Sequence, residues 1–223
     1  MAMFDDQSLC LPGDTMTAAT VWMFGSKAVE LWRRPRPEPT DQSCFVFRDG
    51  GAVIVKNKGT YLWFDAGEVG LKGRGGHGHN DLLSFELMLD GKILLTDPGS
   101  YVYTSDPESR DLFRSTVYHN GLRVDGQELA PMSGMWTIGG DAVPTEVSVY
   151  NQGSRTVIEA GHDGYHRLPD PVSHSRTLSI DPDNGSADCD DHIQSEEPHT
   201  IERFLHVPPT ISIQLQASGA VLS

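Results

Sequence analysis

The sequence predicts an all-β domain with the architecture of an antiparallel β-sandwich, preceded by a single helix. Two observations lead to this prediction. From Cys44 onward, apolar and polar residues alternate with a period of two in about ten short runs. Turn signals separate these runs at regular intervals, in a chain that contains 23 glycines and 14 prolines. Many short strands with evenly spaced turns are typical of β-sandwiches.

The segment 15–33 predicts a helix in front of the β-domain. It is rich in Ala, Met, Leu and Lys, and Asp14 stands where an N-cap is expected. At helical spacing, one face carries Val21, Phe24, Val29 and Trp32. Three prolines at alternate positions within 34–42 stop the helix and favour an extended linker. We therefore predict two domains, residues 1–42 and residues 43–223.

The β-domain divides into a series of candidate strands. An Asp90-Gly91 pair between two apolar runs predicts a hairpin over 82–99 with a type I′ turn. The other predicted strands are 45–49, 52–57, 60–67, 120–126, 146–152, 155–161, 173–180, 202–207 and 211–216.

Charge excludes two classes of partner. The chain has 17 basic and 31 acidic residues and a net charge of −14, which argues against nucleic acid and against an anionic membrane surface. No apolar run reaches the ~18 residues that a membrane span needs. Met1–Gly13 also lacks the pattern of a signal peptide.

An acidic polysaccharide requires a locally basic face. The candidates for that face, unless they form surface ion pairs instead, are Arg74, Arg110, Arg114 and Arg123.

A glycine-rich loop over 73–81 contains the most informative residues. In an extended loop, His77 and His79 share a face at spacing i, i+2, and the glycines let the backbone approach a ligand. Antiparallel pairing of the hairpin is expected to bring His79 beside Asp97, and His119 follows. Two imidazoles and one carboxylate suit zinc with one open position. Packed or surface histidines remain the alternative interpretation.

A resemblance to a known family covers the same segment. The motifs are HGHxDxLSFEL, LLxDPGxYxY, FRSTxxHN and VDGQ, which all fall within residues 76–128. They resemble the signature segment of the heparinase II/III-like polysaccharide lyases. Weaker similarity extends through 64–67 and 162–165, and residues 22–32 resemble the last helix of the domain that precedes the sandwich in that family.

The resemblance implies a fold, an activity and a location. Family members join an α/α toroid to an antiparallel β-sandwich and cleave uronic-acid-containing polysaccharides by β-elimination. Residues 1–42 would then be the terminal helix of a truncated toroid with its linker. The expected partners are an acidic polysaccharide and the missing toroid, and the expected location is the periplasm or cell envelope. The alternative is a non-catalytic carbohydrate-binding or structural sandwich with a structural metal.

The resemblance also implies roles for site residues. The family's metal site, commonly zinc, matches His79, Asp97 and His119, and His77 matches a histidine at the catalytic cleft. Candidate substrate-binding residues between these positions are Tyr101, Tyr103 and Arg114. The family's catalytic tyrosine comes from the toroid and matches no tyrosine of this segment. The chain alone is therefore expected to lack the full catalytic set.

Overall fold

The structure is a computed structural model that describes residues 16–34, 44–57, 59–70, 75–139, 142–216 and 219–222. The chain divides into two compact units, Met1–Gln42 and Ser43–Ser223, which are described separately. That the first unit is the end of a toroid domain stays a prediction. In the described ranges, no helix is long and apolar enough to cross a membrane.

The first unit contains helix α1, Ala18–Arg33, within the range that the sequence predicts. The helix is interrupted at Gly25, which has a φ of 62° and a ψ of −154°. Glycine takes this conformation without the steric penalty of a Cβ, so the prediction of one continuous helix was wrong at this position. The proposed N-cap, Asp14, lies outside the described residues.

The second unit is built from strands and contains one short helix. Helix α2 spans Pro107–Phe113. The strands in chain order are β1 Cys44–Phe47, β2 Ala52–Asn57, β3 Thr60–Asp65, β4 Phe85–Leu89, β5 Lys92–Leu95, β6 Leu122–Val124, β7 Ser148–Gln152, β8 Arg155–Tyr165, β9 Val172–Asp181, β10 Ser186–Gln194, β11 Ile201–Arg203, β12 Ile213–Gln216 and β13 Gly219–Leu222.

Two antiparallel sheets enclose one hydrophobic core. The first has the order β1-β2-β3-β4-β5 and the second has the order β10-β9-β8-β7. Every second side chain is buried in β3 and β4, as expected for strands that pack one face against a core. The buried side chains of both sheets belong to a single cluster, including Leu62, Phe64, Ile158 and Leu178. The prediction of an all-β antiparallel sandwich is therefore confirmed.

The turn between β4 and β5 follows the sequence prediction. Asp90 and Gly91 have φ values of 50° and 73°, the positive values that a type I′ turn requires. Two other elements correct the prediction. Residues 107–113, for which no helix or strand was predicted, form α2, and Asp106 caps this helix by accepting from the Ser109 N–H at 3.2 Å. Strand β10 was not predicted at all.

Candidate functional site

The loop that carries His77 and His79 is anchored by one buried side chain. Asn80 is 2% exposed, its N–H donates to the Arg114 carbonyl at 2.9 Å, and its Nδ2 donates to the Ala130 carbonyl at 3.0 Å. The N–H of Ala130 donates back to the Asn80 side chain at 2.8 Å. These bonds fix the backbone at Asn80, which lies between His79 and Asp81 and close to His77, so the site is preorganised.

The glycines of this loop serve packing within the protein. A Cβ on Gly75 would lie 1.5 Å from Cγ2 of Ile138, and a Cβ on Gly78 would lie 3.0 Å from Cα of Gly70. Glycine is therefore needed at both positions because another part of the chain approaches closely. The approach of this loop to a ligand stays a prediction.

Three side chains converge next to this loop. One ligand atom from each of His79, Asp81 and His119 lies within 4.8 Å of the other two. The imidazole rings of His79 and His119 have centroids 5.2 Å apart. Two of the three are predicted ligands, and Asp81 is a donor that the sequence argument missed, although it lies two residues after His79.

Asp97 joins this group through His119. Its Oδ2 lies 2.6 Å from His119 Nδ1, and its Oδ1 accepts from the Gly99 N–H at 2.8 Å. The hairpin does not produce this contact, because pairing of β4 with β5 stops at Leu87 and Leu95. The expected strand pairing of His79 with Asp97 was therefore wrong, although the two side chains lie near enough for each to shift the pKa of the other.

Asn120 brings the hairpin and His119 together instead. This fully buried side chain donates from Nδ2 to the carbonyls of Phe85 at 2.8 Å and of Thr96 at 3.1 Å. Its Oδ1 accepts from the His206 N–H at 2.6 Å. The residue before Asn120 is His119 and the residue after Thr96 is Asp97, so one amide holds both functional side chains in place.

The residues fit a bound cation. The Nε2 atom of His119 is buried and has no hydrogen-bond partner among the described residues. A buried polar nitrogen without a partner is costly, and a metal ion would satisfy it. The donor set of imidazoles and carboxylates is the set that zinc and related divalent ions prefer.

The electrostatics of the site also favour a cation. Four carboxylates line a cavity of about 190 Å³, together with Trp63, Ser84 and Phe85; they are Asp65, Asp81, Glu86 and Asp97. Burial, and then the neighbouring Asp81, raise the pKa of Asp65 to about 7. Burial and the nearby Asp97 likewise raise the pKa of Glu86. Crowded carboxylates of this kind lower their mutual repulsion by binding a positive charge.

The two candidate ligand histidines respond differently to their surroundings. Burial lowers the pKa of His79, with Asp81 acting against it. For His119, burial is the largest single effect and acts to lower the pKa, but the hydrogen bond with Asp97 and the negative charges of Asp81, Asp97 and Glu128 together raise it. Correspondingly, burial acts to raise the pKa of Asp97, yet the hydrogen bond and charge of His119, with the Gly99 N–H bond and His79, together lower it. Asp97 and His119 therefore form a charge-assisted pair.

His77 lies outside this cluster and is exposed. Its Nδ1 contacts the hydroxyl of Tyr103, and the two rings have centroids 5.4 Å apart. Tyr103 and Tyr101 are both exposed, and Tyr101 stacks on Phe113 at 4.9 Å. The structure thus brings His77 and Tyr103 together on an accessible surface, while Tyr101 is exposed beside Phe113.

Arg114 differs from the other candidate substrate-binding residues because it is completely buried. Its guanidinium donates to the carbonyls of Met135 at 2.6 Å and Thr137 at 2.8 Å. Its contact with a substrate stays a prediction, and in the structure it supports the segment 135–137. Of the other predicted basic residues, Arg123 pairs with Glu202 at 2.8 Å, and Arg74 lies outside the described residues.

Residues 39–223 match the family described as Heparinase II/III-like, C-terminal. The chain belongs to this family. A comparison of this heparinase II/III-like chain with curated proteins found no significant match.

Solved structures show the same fold. A structure described as a heparinase III gene product is 20% identical, with a TM-score of 0.64, over 88% of this chain and 28% of that chain. The heparan sulfate lyase HepC from Pedobacter heparinus is 18% identical, with a TM-score of 0.56, over 82% of this chain and 26% of that chain. At these identities the likeness establishes the fold, and the heparinase-like chain spans little more than a quarter of either neighbour.

Proposed function

We propose that this chain is the C-terminal domain of a polysaccharide lyase that cleaves uronic-acid-containing polysaccharides by β-elimination. Family membership supports the reaction class. The observation that supports it most directly is the separation of the two loop histidines. His79 lies in the partly buried cluster with His119, whereas His77 is exposed and free to meet a substrate.

The reaction explains why an exposed imidazole is needed. The C5 proton of a uronate is poorly acidic until the charge on its carboxylate is offset. A base can then remove that proton, and an acid protonates the departing glycosidic oxygen. His77 Nδ1 is engaged by the Tyr103 hydroxyl, which leaves Nε2 to face the substrate carboxylate or to relay a proton.

We further propose that His79, Asp97 and His119 hold one divalent ion, most simply zinc, and that Asp81 provides a fourth donor. The unpartnered Nε2 of His119 and the convergence of His79, Asp81 and His119 support a cation here, whereas the role of Asp97 as a ligand rests on the family resemblance, because Asp97 contacts the other nitrogen of His119. When bound, the ion supplies folding free energy by joining the loop after β3, the end of β5 and the segment at His119. Four protein donors make a closed site, which is typical of structural zinc.

The remaining catalytic groups are proposed to come from a preceding toroid domain. Tyr101 and Tyr103 are exposed, but they do not match the family's catalytic tyrosine. In this proposal the β-sandwich supplies His77 and part of the substrate surface, and the toroid supplies the base and the acid. The family resemblance also leads us to propose a periplasmic or cell-envelope location.

The test is an assay of the full reading frame that contains these residues on heparan-type, alginate-type and bacterial uronate polysaccharides. β-Elimination creates one unsaturated uronate for each new reducing end, so ultraviolet absorbance and reducing ends should rise together on one substrate. Reducing ends without unsaturation would identify a hydrolase and contradict the proposal. Binding without cleavage of any substrate would support the carbohydrate-binding alternative.

A further inference from the structure

Trp136 is a large exposed aromatic residue beside the candidate active site. Its side chain is 46% exposed, and its ring centroid lies 6.3 Å from that of Tyr103, which is also 46% exposed. Tyr103 in turn contacts His77. Three accessible rings therefore follow one another, with successive centroids 5.4 Å and 6.3 Å apart.

Two buried arginines fix the backbone on either side of Trp136. Arg114 donates to the carbonyls on both sides of Trp136, at Met135 and Thr137, and Arg110 Nε donates to the Met135 carbonyl at 3.2 Å. The Gly139 N–H also donates to the Pro131 carbonyl at 2.7 Å. An aromatic side chain held at the surface by a preorganised backbone loses little entropy when it binds a ligand.

Arg110 places one positive charge next to these rings. The Arg110 guanidinium carbon lies 4.8 Å from the Trp136 ring centroid and 5.2 Å from that of Tyr103. Arg110 also donates to the Gly76 carbonyl, immediately before His77. Arg114 has a carboxylate partner, Asp111 at 3.8 Å, so the attraction for an anion at the two rings comes from Arg110.

We propose that Trp136 and Tyr103 form a stacking subsite for an acidic sugar residue adjacent to the residue that binds at His77. This inference rests on the proposed function and adds a specific contact to it. The apolar face of a pyranose ring packs on the two aromatic rings, while its carboxylate or sulfate is attracted by Arg110. Neutral sugars lack the second interaction and bind less tightly.

The test is calorimetric titration of the full chain with heparan sulfate and alginate hexasaccharides, with cellohexaose as the neutral probe. Trp136→Ala should weaken binding of the preferred acidic probe by at least about fivefold, as expected for loss of an aromatic anchor. Trp136→Phe should retain most of the affinity. Tyr150→Ala is the matched control, because Tyr150 is 45% exposed and lies on β7, in the other sheet.

The outcomes separate this inference from the proposed function. If the wild type binds an acidic probe and Trp136→Ala binds it equally well, the subsite is wrong. The same conclusion follows if Trp136→Phe is as weak as Trp136→Ala, or if cellohexaose binds as tightly as the acidic probes. A wild-type chain that binds none of the acidic probes would overturn the subsite, whereas the proposed function is contradicted only if the full reading frame fails to form unsaturated products.

Discussion

At the scale of single residues, His119 shows how the site is held. One imidazole nitrogen contacts Asp97, and the other is buried without a partner in the part of the chain that the structure describes. A carboxylate on one nitrogen orients the ring and increases the basicity of the other. The position of His119 therefore depends on Asp97 whether or not Asp97 also contacts the ion.

This arrangement predicts the metal content of variants. Wild-type protein purified without chelator should contain one divalent ion per chain by elemental analysis, and a His79→Ala, His119→Ala double variant should contain none. Asp81→Asn and Asp97→Asn should each weaken metal binding by at least about tenfold. His166→Ala is the control, since His166 bonds Ser173 on the second sheet. An unchanged metal content in the double variant would contradict the assignment.

At the scale of secondary structure elements, a buried polar network joins the second sheet to the site. Arg176 is fully buried and donates through Nε and Nη2 to Asp191, at 2.7 Å and 2.9 Å. Its Nη1 donates to the carbonyls of Leu83 and Asn120, at 2.7 Å and 2.6 Å. A pair on β9 and β10 thereby holds the residues next to Ser84 and His119.

Breaking this pair should destabilise the fold. Asp191→Asn leaves the Arg176 charge buried without its counter-ion, and such changes cost about 3–5 kcal/mol. Asp190→Asn changes the adjacent residue, which is exposed on the opposite face of β10, and should alter stability by less than about 0.5 kcal/mol. Urea unfolding of the two variants measures the difference. Equal losses would show that the network does not stabilise the protein.

The network continues into two histidines of defined tautomer. The Gly164 N–H donates to His162 Nδ1 at 3.2 Å, so His162 Nε2–H donates to His174 Nδ1 at 3.0 Å. His174 Nε2–H then donates to Asp191 at 2.8 Å. Burial lowers the pKa of both histidines, most strongly for His162. Both rings are therefore neutral in the folded state near neutral pH.

His162 and His174 make the stability of the fold depend on pH. Below the ordinary histidine pKa of about 6.5, the unfolded state binds protons that the folded state rejects, so stability falls as pH falls. His199 acts in the opposite direction. Hydrogen bonds with Asp125 and then Asp170 raise its pKa, so its contribution is present below about 6.5 and is lost as pH rises through the raised pKa.

Thermal melting of two variants between pH 7.5 and 5 tests these opposite effects on stability. Compared with wild type, His174→Gln should lose less of its stability on acidification, and His199→Gln should lose more. Comparison with wild type cancels other titrations, including that of Asp65, whose raised pKa stabilises the fold as pH falls. If the two variants change the pH dependence in the same direction, the account of one histidine is wrong.

The elements that the sequence did and did not predict differ in a physical way. The hairpin was predictable because Asp90-Gly91 lies between two apolar runs. Strand β10 was not predictable from the sequence, because its exposed face is wholly polar and its inward face includes Asp191. A charged residue can face inward there because Arg176 on a neighbouring strand pairs with it. Helix α2 was missed although Asp106-Pro107 is a helix start signal.

At the scale of the whole molecule, the site depends on long-range contacts that local pattern does not contain. The chemistry of His79, Asp97 and His119 was visible in the sequence, but their supports were not: Asn80 anchors the loop of His79, and Asn120 holds the segments of Asp97 and His119. Trp136 follows no motif and is notable only because it faces Tyr103. The metal-binding and catalytic residue types were thus predictable from the sequence. The residues that position them, and the residues that lie next to them, could be identified only from the structure.

A metal that joins three separate segments should stabilise the whole β-domain. An ion present at 100 times its Kd adds about 2.7 kcal/mol to the free energy of unfolding, which corresponds to a Tm increase of about 5–10 °C for a chain of this size. Chelation should lower the Tm by this amount, and restored zinc should reverse the change. The His79→Ala, His119→Ala variant serves as the control and should not respond to chelator. An unchanged Tm after verified metal removal would contradict a structural role.

The central claim is that one loop carries two histidines with different tasks. The most direct measurement compares His77→Ala with His79→Ala in the full reading frame, for metal content, Tm and turnover of the preferred polysaccharide. His77→Ala should keep its metal and its Tm while losing most of its lyase turnover. His79→Ala should lose metal, stability and turnover together. Near-normal turnover of His77→Ala, with metal and Tm intact, would contradict the claim that His77 takes part in the reaction.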